Sequence, residues 1–251
     1  MLVVTMTSWT KRIGNVKKVV ESIMNNTVKP DRVYLNLSRT EFEGIKLPKD
    51  LVEYFENDER LVINWVDGEN TKSMKKVFPI LKYLDDDDLI INMDDDMNIP
   101  NDFIEVRLNE FKSNGGKNPI SGSNNPRCHT NKCLYGRIYS VICCTSIFQK
   151  KMLNGWDKIV DGELMKTYND DYIYTLLMLM NGYRIIPTSK ISTHTGIGPR
   201  KISSYNDNDG MGRQRVYKRN SEVLQIFEQK YRKAFGKEYK NLFLKNNKIK
   251  Q

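Results

Sequence analysis

The chain has 251 residues, of which 39% are hydrophobic and 28% charged, and its net charge is +9; this balance excludes a disordered tail and a membrane bundle. No run approaches the ~20 consecutive apolar residues of a membrane-spanning helix, the N-terminus lacks the features of a signal peptide, and four cysteines are too few for a disulfide scaffold. These properties predict a cytoplasmic protein with reduced thiols.

Strand and helix signals alternate through the first hundred residues. Apolar runs rich in β-branched residues predict four strands, at Leu2–Met6, Arg32–Leu37, Leu61–Val66 and Leu89–Met93. Helical periodicity begins at about Ile13 and recurs over Ser73–Leu84, where Pro79 is expected to kink or end the helix. Strands that alternate with helices imply parallel pairing in an open α/β sheet.

Two acidic runs flank the fourth predicted strand. Asp85–Asp88 precedes it, and Asp94–Asp96 follows it. Because ligands bind outside the carboxyl ends of the strands in such sheets, we expect the first run to be a solvated turn and the second to lie at the functional edge. Three consecutive carboxylates repel one another unless a cation is present, and their oxygens suit Mg²⁺ or Mn²⁺. The second run therefore predicts a metal–diphosphate site, with an exposed acidic turn as the structural alternative.

Three lysines, Lys72, Lys75 and Lys76, open the segment between the third and fourth strands. A lysine at a helix N-terminus is unfavourable for the helix dipole, which favours contact with phosphate over a merely solvated helix start. The chain has neither Gly-x₄-Gly-Lys-Ser/Thr nor Gly-x-Gly-x-x-Gly after its first strand. These absences exclude a P-loop ATPase and argue against a dinucleotide oxidoreductase.

The pattern weakens after residue 100. Lys112–Cys133 is polar and predicts a long loop region with a short strand at Pro119–Gly122. Ile138–Cys144 predicts a further strand, in which Cys143 and Cys144 would be small buried hydrophobic residues. A helix over Asp171–Met180 and a last strand at Tyr183–Pro187 complete this part of the chain.

Asp170 and Asp171 open the predicted helix. Acids are favoured there by the helix dipole, and a carboxylate near an acceptor hydroxyl could equally act as a general base. His194 follows the last strand and could complete the coordination of a metal held by Asp96. The other histidine, His129, lies between two cysteines at a spacing that does not match a zinc site.

Residues 213–251 hold 12 Lys and Arg against 3 Glu and therefore carry the whole net charge. We expect a helix from Arg213 to the end, with an apolar stripe formed by Val216, Val223, Ile226, Phe227 and Tyr231. A neutral body with a basic tail fits docking on an anionic membrane better than a groove for nucleic acid. A lysine-rich solvated helix is the alternative.

Several blocks between Leu2 and His194 resemble one enzyme family. The two most specific are Lys72-Ser-Met-Lys-Lys-Val-Phe-Pro-Ile-Leu and Asn92-Met-Asp-Asp-Asp-Met-Asn-Ile-Pro. The others are Val3-Val-Thr-Met-Thr-Ser-Trp-Thr-Lys-Arg-Ile, Ser22-Ile-Met-Asn-Asn-Thr-Val-Lys-Pro-Asp, Gly155-Trp-Asp, Asp170-Asp171 and Gly182-Tyr-Arg-Ile. Together they resemble the GT-A glycosyltransferases, in particular family 2-like bacterial enzymes of capsule and lipopolysaccharide synthesis. Asp94–Asp96 matches the DXD motif of that family.

The resemblance implies a GT-A, Rossmann-like fold: an α/β protein with a mostly parallel central sheet flanked by helices and a helical, basic C-terminal tail. It divides the chain into a catalytic domain, 1–200, and a basic extension, 201–251. Within the domain, 1–100 would bind the nucleotide sugar and 101–200 the acceptor.

The activity that the resemblance implies is metal-assisted, inverting transfer of a sugar from a nucleotide-diphosphate donor, with UDP favoured. The acceptor would be a hydroxyl of a surface glycan or lipid-linked glycan, such as capsule or lipooligosaccharide. The protein itself is expected in the cytoplasm, with its basic tail in contact with the inner face of the cytoplasmic membrane. Such a reaction needs a cation, Mn²⁺ or Mg²⁺, to neutralise the leaving diphosphate, and one carboxylate to deprotonate the acceptor.

The resemblance also implies the role of each site residue. The metal ligands would be Asp94, Asp96 and His194. The general base would be Asp171 or its neighbour Asp170, which stands where the family usually has Glu, and the match favours Asp171. The nucleotide sugar would be bound by Thr7, Ser8, Arg12, Ser38, Lys72, Lys76, Asp94 and Asp95.

Two other functions stay open on the sequence alone. A magnesium-dependent sugar nucleotidyltransferase also uses clustered aspartates, but it releases pyrophosphate. A non-catalytic protein could dock through its basic tail after its active site had decayed. The intact acidic pairs argue against such a loss of activity, because neighbouring carboxylates repel one another and would not be expected to persist in a site that had lost its function.

Overall fold

The computed structural model describes residues 1–123, 131–135, 137–189, 200–201 and 220–244. The strands are β1 (Leu2–Thr7), β2 (Arg32–Ser38), β3 (Leu61–Val66), β4 (Leu89–Asn92), β5 (Met97–Asn98), β6 (Ile120–Ser121), β7 (Asn131–Leu134), β8 (Arg137–Ser140), β9 (Ile147–Gln149), β10 (Ile186–Pro187) and β11 (Arg200–Lys201). The α-helices are α1 (Ile13–Met24), α2 (Lys49–Glu56), α3 (Phe103–Ser113), α4 (Trp156–Ile159), α5 (Gly162–Met165), α6 (Asp170–Met180), α7 (Asn220–Phe235) and α8 (Asn241–Leu244).

A seven-stranded sheet in the order β10-β6-β9-β4-β1-β2-β3 forms the centre of the fold. β1 pairs in parallel with β2 and β4, and β2 pairs in parallel with β3, which confirms the open α/β sheet predicted for the first hundred residues. β9 runs antiparallel between β4 and β6. Two small sheets pair β5 with β11 and β7 with β8.

Hydrophobic periodicity determines which faces are buried. In α1 the side chains of Val16, Val19, Val20 and Ile23 recur at the spacing of one helical face, and all four are fully buried. β1 has apolar residues on both faces and is buried along nearly its whole length, as expected for a central parallel strand covered on both sides.

The predicted helix over Ser73–Leu84 is instead two 3₁₀ helices, Lys72–Lys76 and Phe78–Tyr83. Pro79 lies in the first turn of the second one and has no N–H to donate to the carbonyl of Lys75, so a continuous α-helix cannot form there. We call the first 3₁₀ helix, Lys72–Lys76, the lysine helix.

The strand predicted over Ile138–Cys144 is wrong in its second half. β8 ends at Ser140, and Cys143 and Cys144 are half-buried in the turn that follows. That turn passes so close to Gly122 that a Cβ there would lie 1.8 Å from the carbonyl oxygen of Cys144. Thr145 then adopts a left-handed φ of 68° and reverses the chain into β9.

Asp85–Asp87 is exposed, as predicted, but Asp88 is buried. Its carboxylate accepts hydrogen bonds from the amino group of Met1 and from the backbone N–H of Asp85, 2.8 Å away. The last acid of this run therefore fixes the turn before β4.

Helix α7 buries its apolar stripe against the body of the protein. Val223, Phe227 and Tyr231 are buried, while Val216 and the start predicted at Arg213 lie outside the described residues. Beyond α7, the hydroxyl of Tyr239 donates a 2.9 Å hydrogen bond to the carbonyl of Leu176 in α6. Among the helices of the described part of the chain, none combines the length and the apolar character needed to cross a bilayer.

Candidate active site

A cavity of about 430 Å³ opens at the carboxyl ends of β1 and β4, bounded by the lysine helix and the start of α6. It is lined by Thr7, Ser8, Trp9, Arg12, Glu41, Asn70, Lys72, Ser73, Lys75, Lys76, Asp94, Asp95, Asp96, Asp170 and Asp171. All of these residues except Trp9 are polar or charged, which suits a charged ligand.

The acidic turn Asp94–Asp96 and the end of β4 are held by the turn that follows β8. The carbonyl of Asn92 accepts from the N–H of Thr145 at 2.6 Å, and the side-chain oxygen of Asn92 accepts from the N–H of Ser146 at 3.0 Å. The N–H of Asp94 donates to the sulfur of Cys144 at 3.3 Å. The turn after β8 thus positions the first acid of the site.

Lys76 joins the two acidic groups of the cavity. Its Nζ lies 2.8 Å from Asp94 Oδ1 and 3.3 Å from Asp170 Oδ2. Burial lowers the pKa of Lys76, but the charges of Asp170, Asp94 and Asp171 outweigh it and hold that pKa well above its ordinary value. Burial likewise raises the pKa of Asp94, but the charge and hydrogen bond of Lys76 outweigh it and lower that pKa.

Arg12 offsets the negative charge of the other two acids of the turn. Its Nη1 lies 3.0 Å from Asp95 Oδ1 and 3.3 Å from Asp96 Oδ2, and Ser8 Oγ donates to Asp95 Oδ2 at 2.6 Å. Burial raises the pKa of Asp95 more than Ser8 and Arg12 lower it. The repulsion expected among three adjacent carboxylates is therefore relieved by two protein cations.

Asp171 has a buried oxygen, Oδ1, with no hydrogen-bond partner among the described residues. Burial raises the pKa of Asp171 well above its ordinary value, and the nearby charge of Asp170 adds to this effect, while Lys76 opposes it. Asp171 lines the cavity, and a carboxylate with a raised pKa at such a place has the properties of a general base.

Lys75 also lines the cavity and is only 2% exposed. It donates a hydrogen bond to Asn70 Oδ1, and Glu41 Oε2 is 3.7 Å away. Burial lowers the pKa of Lys75 to about 8, an effect that the charge of Glu41 only partly offsets. Nearby, Lys72 has a left-handed φ of 51°, and its Nζ lies 4.4 Å from the centre of the Tyr168 ring.

No protein-family model and no curated protein sequence matches the chain. Solved structures do. S. aureus TarS, residues 1–349, superimposes with a TM-score of 0.62 at 14% identity, covering 96% of this chain and 68% of that one. The chain has the GT-A glycosyltransferase fold.

Further solved structures share this GT-A fold. TarS 1–349 in complex with UDP superimposes with a TM-score of 0.59 at 12% identity over 96% of this chain and 68% of that one. The mannosyltransferase PcManGT from Pyrobaculum calidifontis, in complex with GDP-Man and Mn²⁺, gives 0.53 at 13% identity over 75% of this chain and 55% of that one.

Ten residues predicted for the site lie together in the cavity at the carboxyl ends of β1 and β4: Thr7, Ser8, Arg12, Lys72, Lys76, Asp94, Asp95, Asp96, Asp170 and Asp171. Ser38 is outside this lining; it is 1% exposed at the end of β2, and its hydroxyl lies 2.9 Å from that of Thr40. His194 lies outside the described residues.

The site prediction did not include Trp9, Glu41, Asn70 or Ser73, all of which line the cavity; Lys75, expected with Lys72 and Lys76 to contact phosphate, lines it as well. The position of Trp9 directly after β1 was a usable signal, since loops after parallel strands face the ligand. Glu41 and Asn70 follow β2 and β3 at greater distances, and no motif distinguishes them.

The acidic cluster fits a divalent cation only with help from a substrate. In the described part of the chain, no three Asp, Glu, His or Cys side chains converge as metal ligands. Mg²⁺ sites that bind a nucleotide need only one or two carboxylates besides the phosphates. The side chain of Asp94 is 40% exposed to the cavity, and a carboxylate oxygen is the ligand type that such ions prefer.

Proposed function

We propose that this protein is an inverting glycosyltransferase that moves a sugar from a nucleotide-diphosphate donor, with UDP favoured, to a hydroxyl of a glycan acceptor. The main observation in support is that one cavity of a GT-A fold contains both the Asp94–Asp96 turn and the Asp170–Asp171 pair. UDP and UDP-GlcNAc in TarS structures, and GDP-Man in PcManGT, support the donor class. Surface polysaccharide, such as capsule or lipooligosaccharide, is the proposed acceptor.

Donor binding would depend on the uneven distribution of positive and negative side chains around the cavity. Asp94–Asp96 lies at one wall, with Arg12 and Lys76 already paired to it. Lys72 also lines the cavity and has no carboxylate partner among the described residues, and Lys75 has only Glu41, at the longer distance of 3.7 Å. A diphosphate is attracted to lysines whose charge the protein neutralises only in part, which supports phosphate binding beside the lysine helix.

Asp94 and Asp96 would hold Mn²⁺ or Mg²⁺, together with His194 and the donor phosphates. The bound cation would neutralise the negative charge that develops on the leaving diphosphate. Arg12 Nη1 lies 3.3 Å from Asp96 Oδ2, so a protein cation already faces the carboxylate that would hold the metal. The Mn²⁺ in the PcManGT complex supports the choice of ion.

Asp171 is the proposed base. The acceptor hydroxyl would transfer its proton to the carboxylate of Asp171 as its oxygen bonds to the anomeric carbon, and the nucleoside diphosphate would leave from the opposite face. Asp170 is the weaker candidate because Lys76 lies 3.3 Å from its Oδ2. A paired carboxylate is a poorer proton acceptor than one whose pKa is raised.

Thermal unfolding with UDP, GDP, CDP or ADP, with and without Mn²⁺, tests the proposal. A ligand that binds only the native state raises Tm by mass action. We expect one nucleotide to raise Tm only when the metal is present, and Asp96→Ala to abolish that shift while unfolding cooperatively. No shift with any nucleotide would contradict the proposal, and release of pyrophosphate during turnover would indicate a nucleotidyltransferase instead.

Lys75 should make donor binding depend on pH. Because its pKa is about 8, it is charged below that pH and neutral above it, so nucleotide affinity should fall as the pH rises through this value. Lys75→Met should weaken binding by about tenfold below pH 8 and flatten the profile, the effect of losing one charge-assisted hydrogen bond. Titration calorimetry measures both effects.

The matched control for Lys75 is Lys49→Met, because Lys49 is 89% exposed on α2. It should keep the wild-type profile. An unchanged pH dependence in Lys75→Met would remove Lys75 from donor binding.

We further propose that the catalytic domain spans 1–200, with donor-binding (1–100) and acceptor-binding (101–200) halves, and that the basic residues of 213–251 contact an anionic membrane. In α7, Lys230 is paired with Asp161 and Glu163. Within residues 220–244, the exposed lysines that form no ion pair with another described residue are Lys233, Lys237 and Lys240.

Substitution of these three lysines by Gln should reduce binding to phosphatidylserine vesicles by about a hundredfold at low salt, from the usual worth of basic residues near such surfaces. Removal of the whole segment is a poor test, because Phe227 and Tyr239 belong to the core. The control exchanges three exposed lysines of the body, Lys18, Lys46 and Lys49. Equal loss in both variants, or none in either, would contradict membrane contact through the tail.

A further inference from the structure

A second cavity, of about 400 Å³, lies on the other side of the lysine helix, beside the edge strand β3. Its apolar walls include half-buried Trp65, Trp156 and Met165, and buried Phe78 closes one side. Asn64 and Asp67 add polar groups from the same edge of the sheet. A concave surface with aromatic walls and a few polar groups is the usual form of a small-molecule site.

The lysine helix separates this cavity from the candidate active site. Met74 lines the second cavity, while Ser73 and Lys75, its neighbours in sequence, line the first. A ligand in the second cavity therefore lies one short 3₁₀ turn away from the proposed donor site.

The polar groups of the second cavity keep unused hydrogen-bond acceptors. Asn64 donates from Nδ2 to Asn36 Oδ1 at 2.7 Å, and no described residue donates to its own Oδ1. Asp67 is 80% exposed and accepts one bond, from Arg39 Nε to Oδ1 at 2.7 Å. An amide oxygen and a carboxylate oxygen are thus free to accept from hydroxyl groups.

We propose that this second cavity binds a saccharide unit of a glycan, as a site for part of the acceptor chain remote from the reacting hydroxyl. Most of its lining lies within residues 1–100, so this contact would extend acceptor binding beyond the 101–200 half. A sugar ring presents C–H groups on its faces, which pack on indole rings, and hydroxyls around its edge, which donate to oxygens such as those of Asn64 and Asp67. The role as an acceptor site rests on the proposed function, whereas the binding of saccharide does not.

A lipid chain is the competing occupant of an aromatic cavity. It would cover Oδ1 of Asn64 and Oδ2 of Asp67 without giving these two oxygens a hydrogen-bond donor, and burying an unpaired acceptor is costly. The polar edge therefore favours a glycan.

The three tryptophans provide the readout, because Trp9 lines the first cavity and Trp65 and Trp156 line the second. In the full chain carrying Trp9→Phe, emission reports on the second cavity alone. The probes are oligosaccharides released from capsular polysaccharide and lipooligosaccharide, with decanoate as the acyl probe. We expect saturable changes in emission with at least one oligosaccharide and none with decanoate.

Asp67→Ala should weaken saccharide binding by about tenfold, the effect of one hydrogen bond to a charged group. Met165→Arg should block the cavity and serves as the second variant. Tyr83→Ala is the control, because Tyr83 is 51% exposed and does not line the cavity. In turnover assays both cavity variants should raise KM for long acceptors and leave kcat on short ones unchanged.

Three results would overturn the proposal: no response to any oligosaccharide, equal binding by both cavity variants and wild type, or a response to decanoate alone. Failure of the glycosyltransferase proposal is separate, since it would appear as the absence of any nucleotide-dependent rise in Tm. A chain without transfer activity that still binds saccharide through Asp67 would keep the second site and lose only its role in acceptor binding.

Discussion

Asp171→Asn is expected to lower kcat by about 10²- to 10⁴-fold, the usual contribution of a general base. The amide has nearly the same shape but cannot accept the proton of the acceptor hydroxyl. Nucleotide-dependent thermal stabilisation should persist, because Asp171 removes a proton and does not hold the diphosphate. Steady-state kinetics with a saturating donor measure the loss.

The pH profile gives a second readout for Asp171. Because burial and the charge of Asp170 raise its pKa, wild-type kcat/KM should fall as the pH drops below that raised value. This acidic limb should disappear from the residual activity of Asp171→Asn. Asp157→Asn, at an exposed aspartate of α4, is the matched control and should behave as wild type. Full activity in Asp171→Asn would transfer the assignment to Asp170.

Lys76→Met is expected to reduce the free energy of unfolding by about 3–5 kcal/mol, the usual cost of removing one partner from a buried ion pair. The variant leaves Asp94 and Asp170 without their shared cation. Urea unfolding near neutral pH measures the loss. Lys151→Met is the control, because Lys151 pairs with Asp87 at the surface, and it should change stability much less.

The effect of Lys76→Met should depend on pH with a definite sign. Because its native pKa is lowered, Asp94 stabilises the wild type at pH values above the ordinary pKa of an aspartate. This stabilisation is lost as the pH falls through the native pKa of Asp94. In the variant the same carboxylates are protonated more readily, so acid relieves their repulsion. The difference between the two proteins should therefore narrow in mild acid, and a difference that grew there would contradict the ion-pair explanation.

The parallel half of the sheet could be predicted because its signals are local. β1 to β4 are apolar runs, and α1 has a regular buried stripe. Helix α3 was not predicted, and its composition explains why: it buries Arg107, 1% exposed, in an ion pair with Glu110 at 2.9 Å. Two charged residues on the buried face remove the apolar periodicity on which a sequence-based assignment depends.

The acids of the candidate site could be predicted because strand ends converge, whereas their partners could not. Asp94 follows β4, and the position of its carboxylate at the functional edge follows from topology. That Lys76 would neutralise it depends on the break at Pro79, which ends the lysine helix early. The burial of Lys75 beside Glu41 depends on two loops, and loop geometry has no comparable sequence signal.

The antiparallel strand β9 has a consequence for synthesis of the chain. β1 to β4 leave the ribosome well before β9, so during translation β4 has an unpaired edge of the kind that promotes association between chains. Asn92 also lacks Thr145 and Ser146 in that interval. A nascent chain halted midway would contain most of the parallel sheet, but the acidic turn Asp94–Asp96 would lack the contacts that position it. The ability to bind a nucleotide would therefore arise late, when the second half of the chain packs against the sheet.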